Sequence, residues 1–166
     1  MRQSIAYLGF PAYYVTEEGE VCNDWSGRPV KPSVAIDGQW KVNLKNDNQQ
    51  FVTVLVARLI AEVYVENPHP RCDTIMFLDG DKSNPRARNL AWRTRPYCND
   101  YYKMFRDSYR NPISAPIVCV EDGLTWFDPK DAAMHYGLTT RAILESVWED
   151  GKIWAWPLYK HFRWLE

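Results

Sequence analysis

Apolar and polar residues alternate where Trp40, Val42 and Leu44 interleave with Lys41, Asn43 and Lys45, a period of two that predicts a strand with one buried face. The polar stretch 46–50 and the run Phe51-Val52-Thr53-Val54 predict a turn and a second strand, hence a hairpin. An earlier hairpin is predicted over 9–21, its turn marked by Glu18-Gly19. Gly27, Pro29 and Pro32 punctuate the link between the two. From Val56 to Val65 the pattern becomes helical, with Leu59, Ile60, Val63 and Tyr64 on one face. Pro68 and Pro70 exclude its continuation.

The middle of the chain is organised differently. Ile75-Met76-Phe77-Leu78 reads as a short apolar strand, Asp79-Gly80 as a tight turn, and a polar loop leads to a compact element closed by Leu90 and Trp92. A helix is expected over Asn99 to Phe105, with Tyr102, Met104 and Phe105 packing while Lys103 and Arg106 face outward. Asn111 to Pro116 reads as a linker, which sets a boundary between a region 1–110 and a small module 111–166. The module opens with the strand 117–120, a turn at Glu121-Asp122-Gly123, and a strand through Thr125, Trp126 and Phe127. Asp128 and Pro129 start a helix that stops at Gly137, and Thr139 or Thr140 caps another reaching Trp148, with Ala142, Ile143 and Val147 turned inward. This is a helix-turn-helix pattern. Trp148, Trp154, Trp156, Trp164 and Phe162 are expected to form the module's core.

The chain has 166 residues, of which 46% are hydrophobic and 14% aromatic, enough for a substantial core. No apolar run is long enough to span a bilayer and the N-terminal residues lack a signal-peptide pattern, so a soluble protein of the cytoplasm is expected, with no membrane partner. Cys22, Cys72, Cys98 and Cys119 are scattered without a C-x-x-C pair, and are expected free and buried.

The net charge of −1 conceals a strong asymmetry. Residues 1–81 carry seven basic against eleven acidic side chains, residues 82–110 eight against two, and residues 111–166 five against eight. The basic run comprises Lys82, Arg86, Arg88, Arg93, Arg95, Lys103, Arg106 and Arg110, interleaved with Trp92, Tyr97, Tyr101, Tyr102 and Phe105. Such a stripe can neutralise phosphates. A solvated basic face paired with the protein's own acidic flanks explains the same charges without a ligand.

Leu78-Asp79-Gly80-Asp81-Lys82-Ser83-Asn84 followed by Asn89-Leu90-Ala91-Trp92 resembles the core of the HNH endonucleases of phage and intron homing type. The resemblance implies an α+β fold: N-terminal β-hairpins, a ββα-metal core, and a small β and helix-turn-helix C-terminal module. Tyr13-Tyr14-Val15-Thr16 with Gly19-Glu20-Val21, then Gly38 to Leu44, is similar to the nuclease-associated modular domain of such enzymes. The late Phe162-Arg163-Trp164 strand and the paired helices before it are similar to their C-terminal DNA-binding modules.

The family, as the resemblance implies, holds one divalent cation with an acidic or amide residue and a distal Asn, and uses a His to deprotonate the attacking water. Met76 and Phe77 stand at the acidic and His positions. A benzyl ring is no base and a thioether is a poor ligand for a hard cation. Packing in an apolar run explains both residues with no site at all. Ala57 stands where the family usually has another His. Asn84, the family's loop-fixing residue, and Asn89, at the distal ligand position, are retained, although Asn84 also suits a loop before Pro85 and Asn89 a cap. His69, His135 and His161 offer no replacement close in sequence.

These residues lead to the expectation of a phage-type DNA-binding protein, in the cytoplasm of the host cell, derived from an HNH homing endonuclease that has lost catalytic activity: a pseudoenzyme and regulator, with no metal or other cofactor and double-stranded DNA as its partner. Lys82, Arg86, Arg88, Arg93, Arg95, Lys103 and Arg106 would contact phosphates, and Thr139, Thr140, Arg141 and Glu145 on the last helix would face DNA. The alternatives are a protein that binds and inhibits a host enzyme, and a nuclease with an altered site using Asp79, Asp81 or His69.

Overall fold

The computed structural model describes residues 1–106 and 113–165. Its residues fall into two compact units, Met1–Asn67 with Asp81–Trp92, and Pro68–Gly80 with Arg93–Glu166. The expected boundary at 110 and 111 and the basic residue Arg110 lie outside the described residues.

The first unit opens with β1 (Arg2–Ser4), β2 (Tyr13–Thr16) and β3 (Val21–Asn23), an antiparallel sheet in that order. Val15 and Val21 stand opposite one another and are buried, which fixes the register of the expected hairpin. Gly19 makes its turn with φ of 92°, and a Cβ there would lie 2.9 Å from Cγ of Pro85, so glycine is required both by conformation and by space.

A second antiparallel sheet contains β4 (Ser33–Val34), β5 (Trp40–Lys45) and β6 (Phe51–Leu55). Val42 and Leu44 are buried while Asn43 and Lys45 are exposed, as the alternation requires. Asn46 closes the connecting turn by accepting the Gln50 amide at 2.9 Å. Helix α1 (Val56–Tyr64) then buries Val56, Ala57, Leu59, Ile60 and Ala61 and carries an Arg58–Glu62 pair on its outer side. Strand β1 and strand β4 are additions to the expected hairpins: both are short and exposed, with no burial pattern to announce them.

In the second unit, β7 (Thr74–Phe77) is followed along the chain, after the loop 81–89 and β8 (Leu90–Arg93), by α2 (Arg95–Tyr102) and a 3-10 turn over Lys103–Phe105. Helix α2 begins four residues before the expected Asn99, because Pro96 sits in its first turn, where proline's missing N–H costs nothing.

The same unit holds the sheet of β9 (Ile117–Cys119), β10 (Thr125–Trp126) and β11 (Phe162–Trp164), in the order β10-β9-β11. Between β10 and β11 lie α3 (Pro129–Tyr136) and α4 (Thr140–Trp148). Asp128 caps α3 by accepting the Lys130 amide at 2.7 Å, and Thr139 caps α4 by accepting that of Ala142 at 3.2 Å. Ile143, Leu144 and Val147 bury one side of α4, together with Ile117, Leu138 and Phe162.

The expected aromatic core is only partly realised. Phe162 is fully buried, whereas Trp148 and Trp154 keep more than half of their surface exposed. The apolar work falls to aliphatic side chains of α4 and β9. All four cysteines are free and buried. Among the described residues no helix is long and apolar enough to cross a membrane.

Candidate nucleic-acid interface

Strand β7 ends against the tyrosines of α2. The Phe77 amide donates to the Tyr102 hydroxyl at 2.9 Å, and the Tyr101 hydroxyl donates to the Leu78 carbonyl at 2.7 Å. Gly80, with φ of 77°, turns the chain where a Cβ would meet the Phe105 ring at 3.0 Å. Met76 and Phe77 lie within this packing, at 0% and 1% exposure. Burial pushes the Tyr102 hydroxyl up to about 12 and raises that of Tyr101 as well, so both keep their protons at neutral pH and act as hydrogen-bonding ties rather than bases.

The side chains at 76 and 77 therefore do not fit the metal-and-base arrangement that the resemblance implies. One is a thioether and the other a hydrocarbon, and both face the core. Among the described residues, no three His, Cys, Asp or Glu side chains cluster closely enough to hold a metal ion.

The retained asparagines belong to the first unit. Asp81 accepts the amide and hydroxyl of Ser83 at 2.8 and 2.7 Å, which shapes the start of the loop. Its carboxyl is held below the usual carboxylate range by these hydrogen bonds, the side-chain one first. Asn89 is buried, and its side-chain amide donates to the Asn84 carbonyl at 2.8 Å. That bond closes the loop from its far end, just before the chain enters β8. Trp92 anchors β8 by donating its indole N–H to the Val65 carbonyl at 3.1 Å, with the Arg58 guanidinium 4.8 Å above its ring.

The basic run divides between the units. In the first, Arg86 pairs with Glu18 at 3.3 Å, Arg88 is exposed beside Glu17, Glu18 and Tyr64, and Lys82 is half-buried. In the second, Arg95 and Arg106 are exposed, and Lys103 pairs with Asp100 at 2.6 Å at the surface. Lys103 and Arg141 also line one concavity of about 260 Å³ with Asp100, Met104, Thr139 and Thr140. Arg141 stays at the surface in an i,i+4 pair with Glu145 at 2.7 Å.

Two expected contacts point the other way. Arg93 is only 2% exposed, and its guanidinium donates to the carbonyls of Gly137 at 2.9 Å and Tyr136 at 3.0 Å. Its charge meets backbone oxygens inside the second unit, not solvent. Thr140 is buried likewise, with its hydroxyl on the Met104 sulfur at 2.8 Å. Tyr97, Tyr101 and Tyr102 are also ties to backbone rather than aromatic contacts along a basic face. Tyr97 and Tyr101, four residues apart, share one face of α2.

No known protein-family profile matches the chain. An uncharacterised HNH endonuclease of Acanthamoeba polyphaga mimivirus is 27% identical over 85 residues, which is 51% of this chain but 21% of that protein. The chain thus spans about a fifth of the length of that relative. The solved structure of the HNH homing endonuclease I-HmuI, a study of its DNA binding and cleavage, superposes with a TM-score of 0.55 at 23% identity, covering 99% of this chain and 98% of that one. The fold is that of an HNH homing endonuclease.

That likeness corrects one expectation. The absence of a His at position 77 led to the reading of a protein that is not an enzyme, a pseudoenzyme on a nuclease scaffold. Both HNH proteins that the chain resembles are named as endonucleases, and they point to a nuclease instead. What the HNH-type core establishes at positions 76 and 77 is narrower: these two side chains pack, and they supply neither ligand nor base.

Proposed function

We propose that this chain is a DNA-binding nuclease-scaffold protein that docks on duplex phosphates through exposed cations. The observation that carries the reading is the exposure of Arg95, Arg106 and Arg141 in the second unit, with Lys103 beside Arg141 in one concavity. Arg88 adds an exposed cation in the first unit. Solvent-facing guanidinium groups can replace the counterions of a phosphate backbone without first leaving a buried partner.

Strand cleavage is the activity that the two likenesses bring with them. In this chain the reaction has to proceed without a base at Phe77 or an oxygen ligand at Met76. Polar groups outside the packed strand, such as the exposed Asp79 carboxylate, are the candidates to serve it.

The test is the salt dependence of binding to random-sequence duplex DNA. Replacing Arg95 and Arg106 together by Ala is expected to flatten the plot of log affinity against log salt by about two, roughly one per lost phosphate contact. An unchanged slope would remove these residues from the docking surface.

A protein partner is the second reading, favoured by the exposed pair Trp154 and Tyr159, whose rings meet edge to face at 5.2 Å in the second unit. Under that reading DNA binding is weak and insensitive to salt, and Trp154→Ala abolishes capture of the partner while leaving the fold intact.

A further inference from the structure

Within the second unit, the turn between α3 and α4 is gripped from one side by the segment 93–104. Arg93 holds the carbonyls of Tyr136 and Gly137, the last of α3 and the residue after it, through Nη2 and Nε. Carbonyls at a helix C-terminus lack intrahelical donors and carry the negative end of the helix dipole, so a buried guanidinium suits them. Tyr97 stands four residues further on, its ring 5.9 Å from the Arg93 guanidinium. The Tyr97 hydroxyl accepts the amide of Thr139, the capping residue of α4, at 2.8 Å.

The third grip is Thr140, whose hydroxyl meets the Met104 sulfur. At the middle of the turn Gly137 has φ of 61°, and a Cβ there would stand 2.7 Å from Cδ2 of Leu78 and 3.1 Å from Nη2 of Arg93. A side chain there would adopt a strained left-handed conformation and would have to displace the ends of the Leu78 and Arg93 side chains. The end of α3 and the start of α4 are thus held by residues of one contiguous stretch, and the concavity of Lys103 and Arg141 is formed where that stretch meets α4.

We propose that Arg93 and Tyr97 are positioning residues that fix the start of α4 against α2, so that Arg141 and Lys103 address neighbouring phosphates of one DNA backbone as a unit. The proposal rests on the DNA-docking reading above and specifies what makes it geometrically definite. Neither residue touches DNA. Each acts through the α3–α4 turn.

The experiment is a double-mutant cycle read by affinity for a random-sequence duplex, combined with amide hydrogen exchange in the absence of DNA. In the unaltered protein, Arg141→Ala is expected to weaken binding about threefold, the scale of one solvent-screened ion pair. In the Tyr97→Phe background, which keeps the ring but loses the acceptor of the Thr139 amide, the same change should cost almost nothing. Exchange at Thr139 should accelerate roughly fivefold, as expected for one ordinary hydrogen bond, with little change in melting temperature. Tyr97→Phe preserves the packed ring, so the cycle does not depend on whether an Arg93 variant folds.

An equal effect of Arg141→Ala in both backgrounds would overturn the proposal, and so would unaltered exchange at Thr139. If the unaltered protein does not bind duplex DNA, the docking reading fails and the proposal falls with it. A binding protein whose cycle shows no coupling loses the proposal alone.

Discussion

Arg88 and Arg93 are five residues apart in one basic run, yet they end in different units with opposite surroundings. Arg88 is exposed in the first unit beside Glu17 and Glu18, and Arg93 is buried in the second against two backbone carbonyls. The same contrast separates Arg141 from its neighbour Thr140, one at the surface and one on a buried sulfur. A run of charges in a sequence therefore mixes cations that can reach a ligand with cations that hold the protein together. What divides them is the carbonyl, carboxylate or solvent that the fold brings opposite.

The sharpest way to test this contrast is to truncate both arginines. Arg93→Ala removes two donors from buried carbonyls and the packed stem of the side chain, and should lower unfolding free energy by about 3 kcal/mol. Arg88→Ala should change it by less than about 0.5 kcal/mol. Denaturant titration of the two variants measures the difference, and equal effects would break the comparison.

A somewhat smaller effect is expected at the turn that Arg93 holds. Gly137→Ala combines positive φ with a 2.7 Å clash and should cost about 2 kcal/mol. Gly38→Ala, at φ of 88° but with nothing within 4 Å, carries the conformational penalty alone, about 1 kcal/mol. If the two prove equal in thermal melts, the close approach at Gly137 has no energetic weight.

The effect of pH is confined to alkaline solution. Burial pushes the Cys98 thiol up to about 11 from 9.0 and the Tyr102 hydroxyl up to about 12 from 10.0. The folded protein binds these protons more tightly than the unfolded chain does. Their contribution is therefore complete below pH 9 and is lost as pH rises through about 11 and 12. Melting temperature should fall over that range, and Cys98→Ala should flatten the lower part of the fall; an unaltered profile would show that the thiol is not involved.

Much of the architecture was legible because local patterns and tertiary packing agree. The alternation in Trp40 to Lys45 coincides with buried Val42 and Leu44, and the face of Leu59 and Ile60 coincides with the inner side of α1. Asp128, Gly137 and Thr139 marked helix ends by their own chemistry. Strands β1 and β4 escaped notice because pairing alone defines them, without a buried face.

The candidate interface was less legible. The burial of Arg93 depends on Tyr136 and Gly137, more than forty residues away in the chain, and nothing local distinguishes it from Arg95. The packing role of Met76 and Phe77 was visible in their apolar run, but their identity alone could not decide what reaction the whole chain performs. Two packed side chains do not by themselves make the chain a non-enzyme, and both likenesses are to endonucleases.

The most direct test is to incubate the purified protein with random-sequence duplex DNA and magnesium at low and moderate salt, measure binding, and run the recovered strands on a denaturing gel. Binding is expected to weaken steeply with salt and to be accompanied by nicked strands. Absence of binding at both salt concentrations would contradict the docking claim, and salt-sensitive binding with intact strands would contradict the nuclease activity to which the two likenesses point.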